Sequence, residues 1–378
     1  MSTPAAIMAA QNADDVDRQA RFPSEFLAEA KRAKLLGAYV PTRFGGLGGS
    51  ISDLSAMCAE FGESCAASGM IMAMHQIQVA CLVHHGLGAP EICSYVAEIA
   101  ERQLLIGSVT SEVGIGGDLR SSLCALEPAP MGYALVKDAP TISYGAQADD
   151  LLVTARRAPD AAAADQVAVV MRNGTYALEQ TSSWDTVGMR GTCSPGFRMV
   201  AQVDSGYILP IPFADVASQT MVPVSHILWA STWLGIATAA VKRAHTFVRE
   251  QARKNPGTVP PAASHLAEVW SELQTMRHSV RQTAAEYETS RCSPGGLQHL
   301  STLAFSVRVN NLKLTASRQV VDIVNGCMMI CGLAGYKNDS RFGLGRQLRD
   351  AYSAPLMVAN DRIVAANASM LLVLKEEL

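Results

Sequence analysis

The stretch from Thr110 to Ser122, TSEVGIGGDLRSS, sets Gly114, Gly116 and Gly117 within four positions, with Glu112 before them and Asp118-Leu119-Arg120 after. Without Cβ atoms, such a loop lets backbone amides approach a phosphate or a cofactor closely. It lacks the Gly-Lys-Ser/Thr end of a P-loop, and β-prone sequence follows it where a dinucleotide motif requires a helix. A plain turn between domains fits the composition equally well, so the loop alone leaves its use open. Few other residues are placed for chemistry. Asp361 stands just before a helical stretch, where capping exposed amides is its ordinary work. His226 lies near the start of a long helix, where a general base and a partly buried helix-start residue are the alternatives. Cys193 follows Gly191-Thr192 with no basic neighbour to activate it. The nine cysteines show no CxxC pair and no zinc spacing. Cys327 and Cys331, four apart on one helix, read as core, because free cysteine packs as a small hydrophobe.

These groups sit on a chain of 378 residues, 49% hydrophobic and 17% charged, which is globular and long enough for two or three domains. A net charge of -3 carries no nucleic-acid or anionic-membrane footprint. The opening MSTPAAIMAAQNADD has neither a basic start nor a long apolar run, so no secretory signal is read there. With the odd cysteine count this leads us to expect a reducing cytoplasm. The most apolar stretch, Met70 to Val83, is interrupted by His75, Gln76 and Gln78, which predicts a buried helix and no membrane span.

Three regions follow from the patterning. Residues 1–106 read as an α-helical domain, with one helix over 22–36 ending at Gly37, a Gly-rich break PTRFGGLGGS, and further helices over 51–101. Residues 107–216 read as a small, mostly antiparallel β domain. Runs at 133–137 and 150–154 are β-prone, and Asn173-Gly174 between 167–172 and 175–178 predicts a tight hairpin. A further turn at Asp204-Ser205-Gly206 separates runs at 197–203 and 207–209. Residues 217–378 read as a four-helix bundle, with long helices over 227–254 and 303–331 and one from about 360 to the end. In the helix between, Leu266, Val269, Leu273, Met276, Val280, Ala284 and Tyr287 recur every three or four residues on one face. The fold class is α+β, mostly α.

Several segments, in this order, resemble the acyl-CoA dehydrogenase family. Ser111-Glu-Val-Gly-Ile-Gly-Gly-Asp118 is similar to its Thr-Glu-Pro-Gly-Ala-Gly-Ser-Asp, and Pro41-Thr-Arg-Phe-Gly-Gly-Leu-Gly48 to its Pro-Glu-Glu-Tyr-Gly-Gly-Leu-Gly. Trp184-Asp-Thr-Val-Gly-Met-Arg-Gly-Thr192 matches Trp-Asp-Thr-Leu-Gly-Met-Arg-Gly-Thr. Cys331-Gly-Leu-Ala-Gly-Tyr336 resembles Phe-Gly-Gly-Asn-Gly-Phe, and Leu348-Arg-Asp-Ala351 resembles Met-Arg-Asp-Ala.

The resemblance implies FAD as cofactor, an acyl thioester on CoA or a carrier protein as substrate, and a homodimer or homotetramer. It places Ser111, Gly116, Gly117, Ser143, Gly332, Asn360 and Arg362 at cofactor-contact positions, with Ser111 at the flavin pyrimidine edge and Ser143 near N5. Gly117 replaces a serine, and Thr141 a tryptophan that packs on the flavin ring. Arg249 and Arg253 fall near an Arg/Phe segment that reaches a neighbouring subunit's flavin, but the Phe is absent. His75 falls where the family lines its acyl pocket, and an ordinary packed histidine is the expectation.

The family's catalytic glutamate lies nine residues after the Arg of Arg-Asp-Ala, which is Val358 here. In a minority it lies on the first bundle helix, ten residues before a Gly-Leu/Ile step, which is Ser225 here, beside His226. Neither position is acidic, so no catalytic residue is assigned. Three expectations remain. One is an FAD-dependent oxidoreductase acting on CH–CH groups of an acyl thioester, with an electron-transfer flavoprotein as acceptor and a displaced base. The second is a monooxygenase of the same fold that takes reduced flavin from a partner reductase. The third is a non-catalytic subunit of a heteromeric dehydrogenase.

Overall fold

The computed structural model describes residues 2–116 and 118–375. It opens with helices α1 (Pro4–Gln19), α2 (Ser24–Arg32), α3 (Ile51–Ser64), α4 (Ala66–His85) and α5 (Pro90–Arg102). Thr3 caps α1, accepting from the Ala6 amide, and Ser50 with Asp53 forms a reciprocal capping box on α3. The helix expected over 22–36 is shorter. It stops at Arg32, Lys34 turns left-handed (φ 58), and a 3₁₀ turn at Leu35–Gly37 tucks beneath α5. Gly37 is therefore no cap; a Cβ there would stand 3.1 Å from the Ala100 Cα. As expected, α4 is buried nearly all round. It and the helix from 213 to 254 are long and apolar enough to cross a membrane, but both lie packed inside the fold.

The middle region holds β1 (Ile106–Val109), β2 (Glu127–Ala129), β3 (Gly132–Ala139), β4 (Asp150–Arg156), β5 (Gln166–Met171), β6 (Tyr176–Gln180) and β7 (Phe197–Val203). They form two sheets, β1-β4-β5 and β2-β3-β7-β6, in which β1 runs parallel to β4 and the other pairs are antiparallel. The Asn173-Gly174 turn is thus not a hairpin. β5, buried along its whole length, pairs with β4, while the half-exposed β6 pairs with β7. Asn173 spends its amide on Asp150 Oδ1 at 2.7 Å, so the turn carries the chain from one sheet to the other. Nor does the 207–209 run form a strand on β7: Ser205–Tyr207 is a 3₁₀ turn, and Ile208 bridges to Val169 of β5. Val109, Leu135, Val153, Val169, Phe197 and Met199 fill the space between the sheets.

The last region begins at α6 (Phe213–Val216), which runs through a π turn at Ala217–Met221 into α7 (Val222–Lys254). Then come α8 (Ala262–Cys292), α9 (Gly296–Leu300), α10 (Leu303–Cys331), α11 (Leu333–Tyr336), α12 (Gly345–Ala351), α13 (Ser353–Leu356) and α14 (Asn360–Leu371). The α8 stripe from Val269 to Tyr287 is buried as its spacing predicts, and Cys327 and Cys331 lie in the core of α10. α14 ends at Leu371 and does not continue to the end of the chain as expected. Gly235 brings α7 against α3; a Cβ there would stand 2.3 Å from Ala59 O. One apolar core therefore joins the first helices to the bundle.

Candidate functional site

The glycine loop is held from below by its own acid. Glu112 accepts from the Leu123 amide (3.1 Å), the Cys124 amide (2.6 Å) and the Ser122 hydroxyl (2.8 Å). Behind it the Lys137 ammonium, 1% exposed, stands 3.6 Å away and donates to Thr154 O at 2.6 Å. Burial opposes ionisation of Glu112, but the Ser122 hydroxyl, the Lys137 charge and the two amides outweigh it and hold the carboxyl below its usual range. The acid closes the loop base, and Gly114 and Gly116 are left exposed.

The expected cofactor contacts fall into three groups. Ser111, beyond the end of β1, donates to Thr141 O at 2.7 Å, and Ser143 accepts from Ser194 at 2.9 Å. Ser111 follows β1 and Ser143 follows β3, and Thr141 between them in space is exposed. Gly114 (φ 95) and Gly116 (φ 58) take left-handed conformations, and a Cβ on Gly116 would lie 3.9 Å from Arg362 Nη2. The structure thus brings the loop to the first turn of α14. Gly117 lies outside the described residues. Asn360 opens α14 but turns inward, accepting from Lys313 at 2.6 Å and donating to Ser317 at 3.1 Å. Gly332 (φ 55) forms the α10–α11 junction, with open space where a Cβ would be. Arg249 and Arg253 are exposed near the end of α7.

Two other sequence motifs prove to be one structural joint. Asp350 of α12 is buried and accepts the Met189 amide at 2.7 Å, while Arg349 holds Asp17 of α1 (2.9 Å) and Val187 O (3.2 Å). Gly188 permits this contact, since a Cβ there would strike Arg349 O at 2.1 Å. The Gly-Met-Arg-Gly-Thr and Arg-Asp-Ala segments therefore dock the β domain on the bundle.

None of the candidate acid–base groups is poised to take a proton. Val358 is 45% exposed on a turn where it (φ 55) and Ala359 (φ 39) are both left-handed, an uncommon state for a β-branched residue. Ser225 is buried in α7. His226 beside it is buried, its Nδ1 3.3 Å from Val309 O; burial first and the Lys313 charge second push it down to about 3. Asp361 is exposed in the first turn of α14, where its charge suits the helix dipole, but the cap itself shows no side-chain hydrogen bond. His75 bridges elements, with Nε2 2.8 Å from Leu36 O and Nδ1 accepting from the Ile106 amide at 3.0 Å. Burial lowers it to about 4, so it packs as a neutral ring. Burial raises the Cys193 thiol, whose Sγ lies 3.8 Å from Ala20 O. A thiol so raised is a poor nucleophile at neutral pH.

Comparison with known proteins settles the kinship. The acyl-CoA dehydrogenase N-terminal domain matches residues 5–92, and the acyl-CoA dehydrogenase C-terminal domain matches 215–357. The chain belongs to the acyl-CoA dehydrogenase family. Relatives are similar along most of the chain. The amino sugar nitrososynthase DnmZ of Streptomyces peucetius is 26% identical over 359 residues, 91% of this chain and 84% of that one. Cyclohex-1-ene-1-carbonyl-CoA dehydrogenase of Syntrophus aciditrophicus is 22% identical over 370 residues, 94% of this chain and 83% of that one. Among solved structures, dibenzothiophene monooxygenase (TdsC) of Paenibacillus sp. A11-2 superposes with a TM-score of 0.79 at 21% identity, covering 97% of this chain and 95% of that one.

Membership makes this a flavoprotein oxidoreductase fold, for which FAD is the typical cofactor. The residues present fit a flavin. Two serine hydroxyls stand in the segments after β1 and β3, and left-handed Gly116 faces the Arg362 guanidinium, which suits a phosphate. Two residues escaped the sequence reading, Lys137 and Lys313. Each leaves a signal, a lysine on the buried phase of its element. Lys137 alternates with Leu135 and Ala139, and Lys313 follows Val309 and precedes Ala316 and Val320 on the inward face of α10.

Proposed function

We propose that this chain is a flavin-dependent monooxygenase that takes reduced flavin from a partner reductase. Its substrate carries an oxygen-accepting heteroatom, an amine nitrogen or a sulfur. The observation that carries this reading is the absence of a carboxylate at the two places where the family carries its base, Val358 and Ser225, with His226 beside the second buried and held neutral and Asp361 turned to solvent in the first turn of α14. Removing an α-proton requires a base within hydrogen-bond reach. A reaction with dioxygen needs none, because bound reduced flavin supplies the two electrons that place one oxygen atom on the substrate and the other in water. The relative named as an amino sugar nitrososynthase, similar over 91% of this chain, supports this reading.

In the same reading the chain's own residues bind and orient. Ser111 and Ser143 present hydroxyls to the flavin edge, and Gly116 with Arg362 receives its phosphate. Thr141 leaves open the face that a tryptophan covers elsewhere in the family. The functional unit is a homo-oligomer, since Met329, Leu333, Tyr336, Leu356 and Leu372 stand exposed on the bundle.

The test supplies FMN or FAD reduced by a flavin reductase, isotopically labelled dioxygen, and a panel of amino sugar nucleotides and aromatic thioethers. Label in a product supports the proposal. Complete conversion of the reducing equivalents to hydrogen peroxide with every substrate, together with desaturation of an acyl-CoA, would overturn it.

A further inference from the structure

Lys313 of α10 is fully buried against α7, and no carboxylate pairs with it among the described residues. Its Nζ lies 5.8 Å from the centre of the Trp233 ring and donates to Asn360 Oδ1 at 2.6 Å. Burial pushes the amine down to about 8. An uncompensated buried charge is costly, and an apolar side chain of similar length fits such a core position better. Retaining an ammonium here calls for a role, and Asn360 is its one strong polar contact.

An ammonium has donors and no acceptor, so the amide atom facing it is the oxygen. That fixes the Asn360 amide: a flipped side chain would set NH₂ against NH₃⁺. Nδ2 then gives one hydrogen to Ser317 Oγ at 3.1 Å, and its second has no partner among the described residues. Asn360 is half-buried and directly follows the left-handed pair Val358–Ala359, two residues before Arg362, which faces the glycine loop.

We propose that Lys313 is a positioning residue that locks the Asn360 amide so that an N–H, not the carbonyl, faces the flavin site and selects a flavin oxygen acceptor. This rests on the flavin placement of the proposed function and on the flavin-contact position that the family resemblance implies for Asn360.

The experiment titrates FAD and FMN into the flavin-free full chain by fluorescence, for wild type, Lys313→Met, Asn360→Asp, Asn360→Ala and the double variant Lys313→Met/Asn360→Ala, with melting temperatures alongside. Asn360→Asp should keep or raise the melting temperature, because the new carboxylate pairs with Lys313. It should nonetheless weaken flavin binding about tenfold, since an oxygen now meets an oxygen. Lys313→Met should stay folded, bind several-fold more weakly and shift the visible spectrum of bound flavin. In that background Asn360→Ala should cost less affinity than it does alone.

Folded Asn360→Asp or Lys313→Met protein that binds flavin as tightly as wild type would overturn the proposal, as would strictly additive losses in the double variant. If Lys313→Met does not fold, Asn360→Asp decides alone. Wild-type protein that binds neither flavin would overturn the flavin placement and this proposal with it.

Discussion

Glu112 and Val358 show how single side chains decide what the loop and the turn can do. Glu112 joins three donors and a buried ammonium, so Glu112→Ala should leave Lys137 unpaired in the sheet interior. Breaking a buried pair from one side costs about 3–5 kcal/mol. Denaturant titration of the purified variant checks this, and an unchanged midpoint would show that the latch contributes nothing. Glu112→Gln keeps hydrogen-bonding capacity while removing the charge, and should lie between the two. Val358 cannot accept a proton, and a positioned base contributes ~10²–10⁴-fold. Val358→Glu should therefore create flavin bleaching by saturated acyl-CoAs if the site admits a thioester. Bleaching should rise with pH as the new carboxyl ionises. Folded, flavin-loaded Val358→Glu protein that gains nothing would show that the site does not present a thioester to this turn.

Among the elements, α14 is docked in an unusual way. Its buried residues are Ile363 and Asn367, and it meets α10 through polar contacts: Asn310 to Asn367 at 2.8 Å, Asn367 to Asn311 at 3.0 Å, and Lys313 to Asn360 at 2.6 Å. Asn367→Ala removes two of these, at about 0.5–1.5 kcal/mol each. Hydrogen exchange should quicken in α14 and stay unchanged in α7; equal quickening in both would mean that α14 is not a separate unit. Such docking also marks the limit of what the sequence shows. The long helices were legible because one apolar stripe per helix reports burial directly, and α10 begins and ends where its pattern does. The 167–178 segment misled because Asn-Gly specifies a turn and not a partner. Which strand each flank joins depends on burial of β5 and on Asp150, far along the chain. The site entered the sequence reading only as motif positions, and Lys313 beneath Asn360 was passed over although its place on the buried phase of α10 marks it, because a lysine in a helical pattern is ordinarily read as surface.

For the whole molecule, several buried histidines set the acid limit. His75 and His85 are pushed to about 4 and His226 to about 3 by burial first, with the Arg291 charge acting on His85 and the Lys313 charge on His226. Above about pH 6.5 both folded and unfolded rings are neutral and stability is complete. As pH falls from 6.5 toward 4 the unfolded state takes up protons that the native state refuses, so stability is lost. The loss is about 2 kcal/mol per fully buried ring by pH 5. Asp350, raised to about 6 by burial, acts in the opposite sense and gives back part of this loss below pH 6. Melting temperature should fall steeply below pH 6; a flat profile down to pH 4.5 would contradict the neutral packing. The exposed apolar residues of α10, α11 and α13 predict a dimer or larger assembly in sedimentation, and a stable monomer at micromolar concentration would refute it. The central claim is that this fold holds a flavin but lacks the base for desaturation. Its most direct test is anaerobic titration of the flavin-loaded protein with saturated acyl-CoAs of several chain lengths, followed by flavin absorbance. The flavin should stay oxidised throughout, and bleaching at rates usual for enzymes, ~1–10³ per second, would contradict the account.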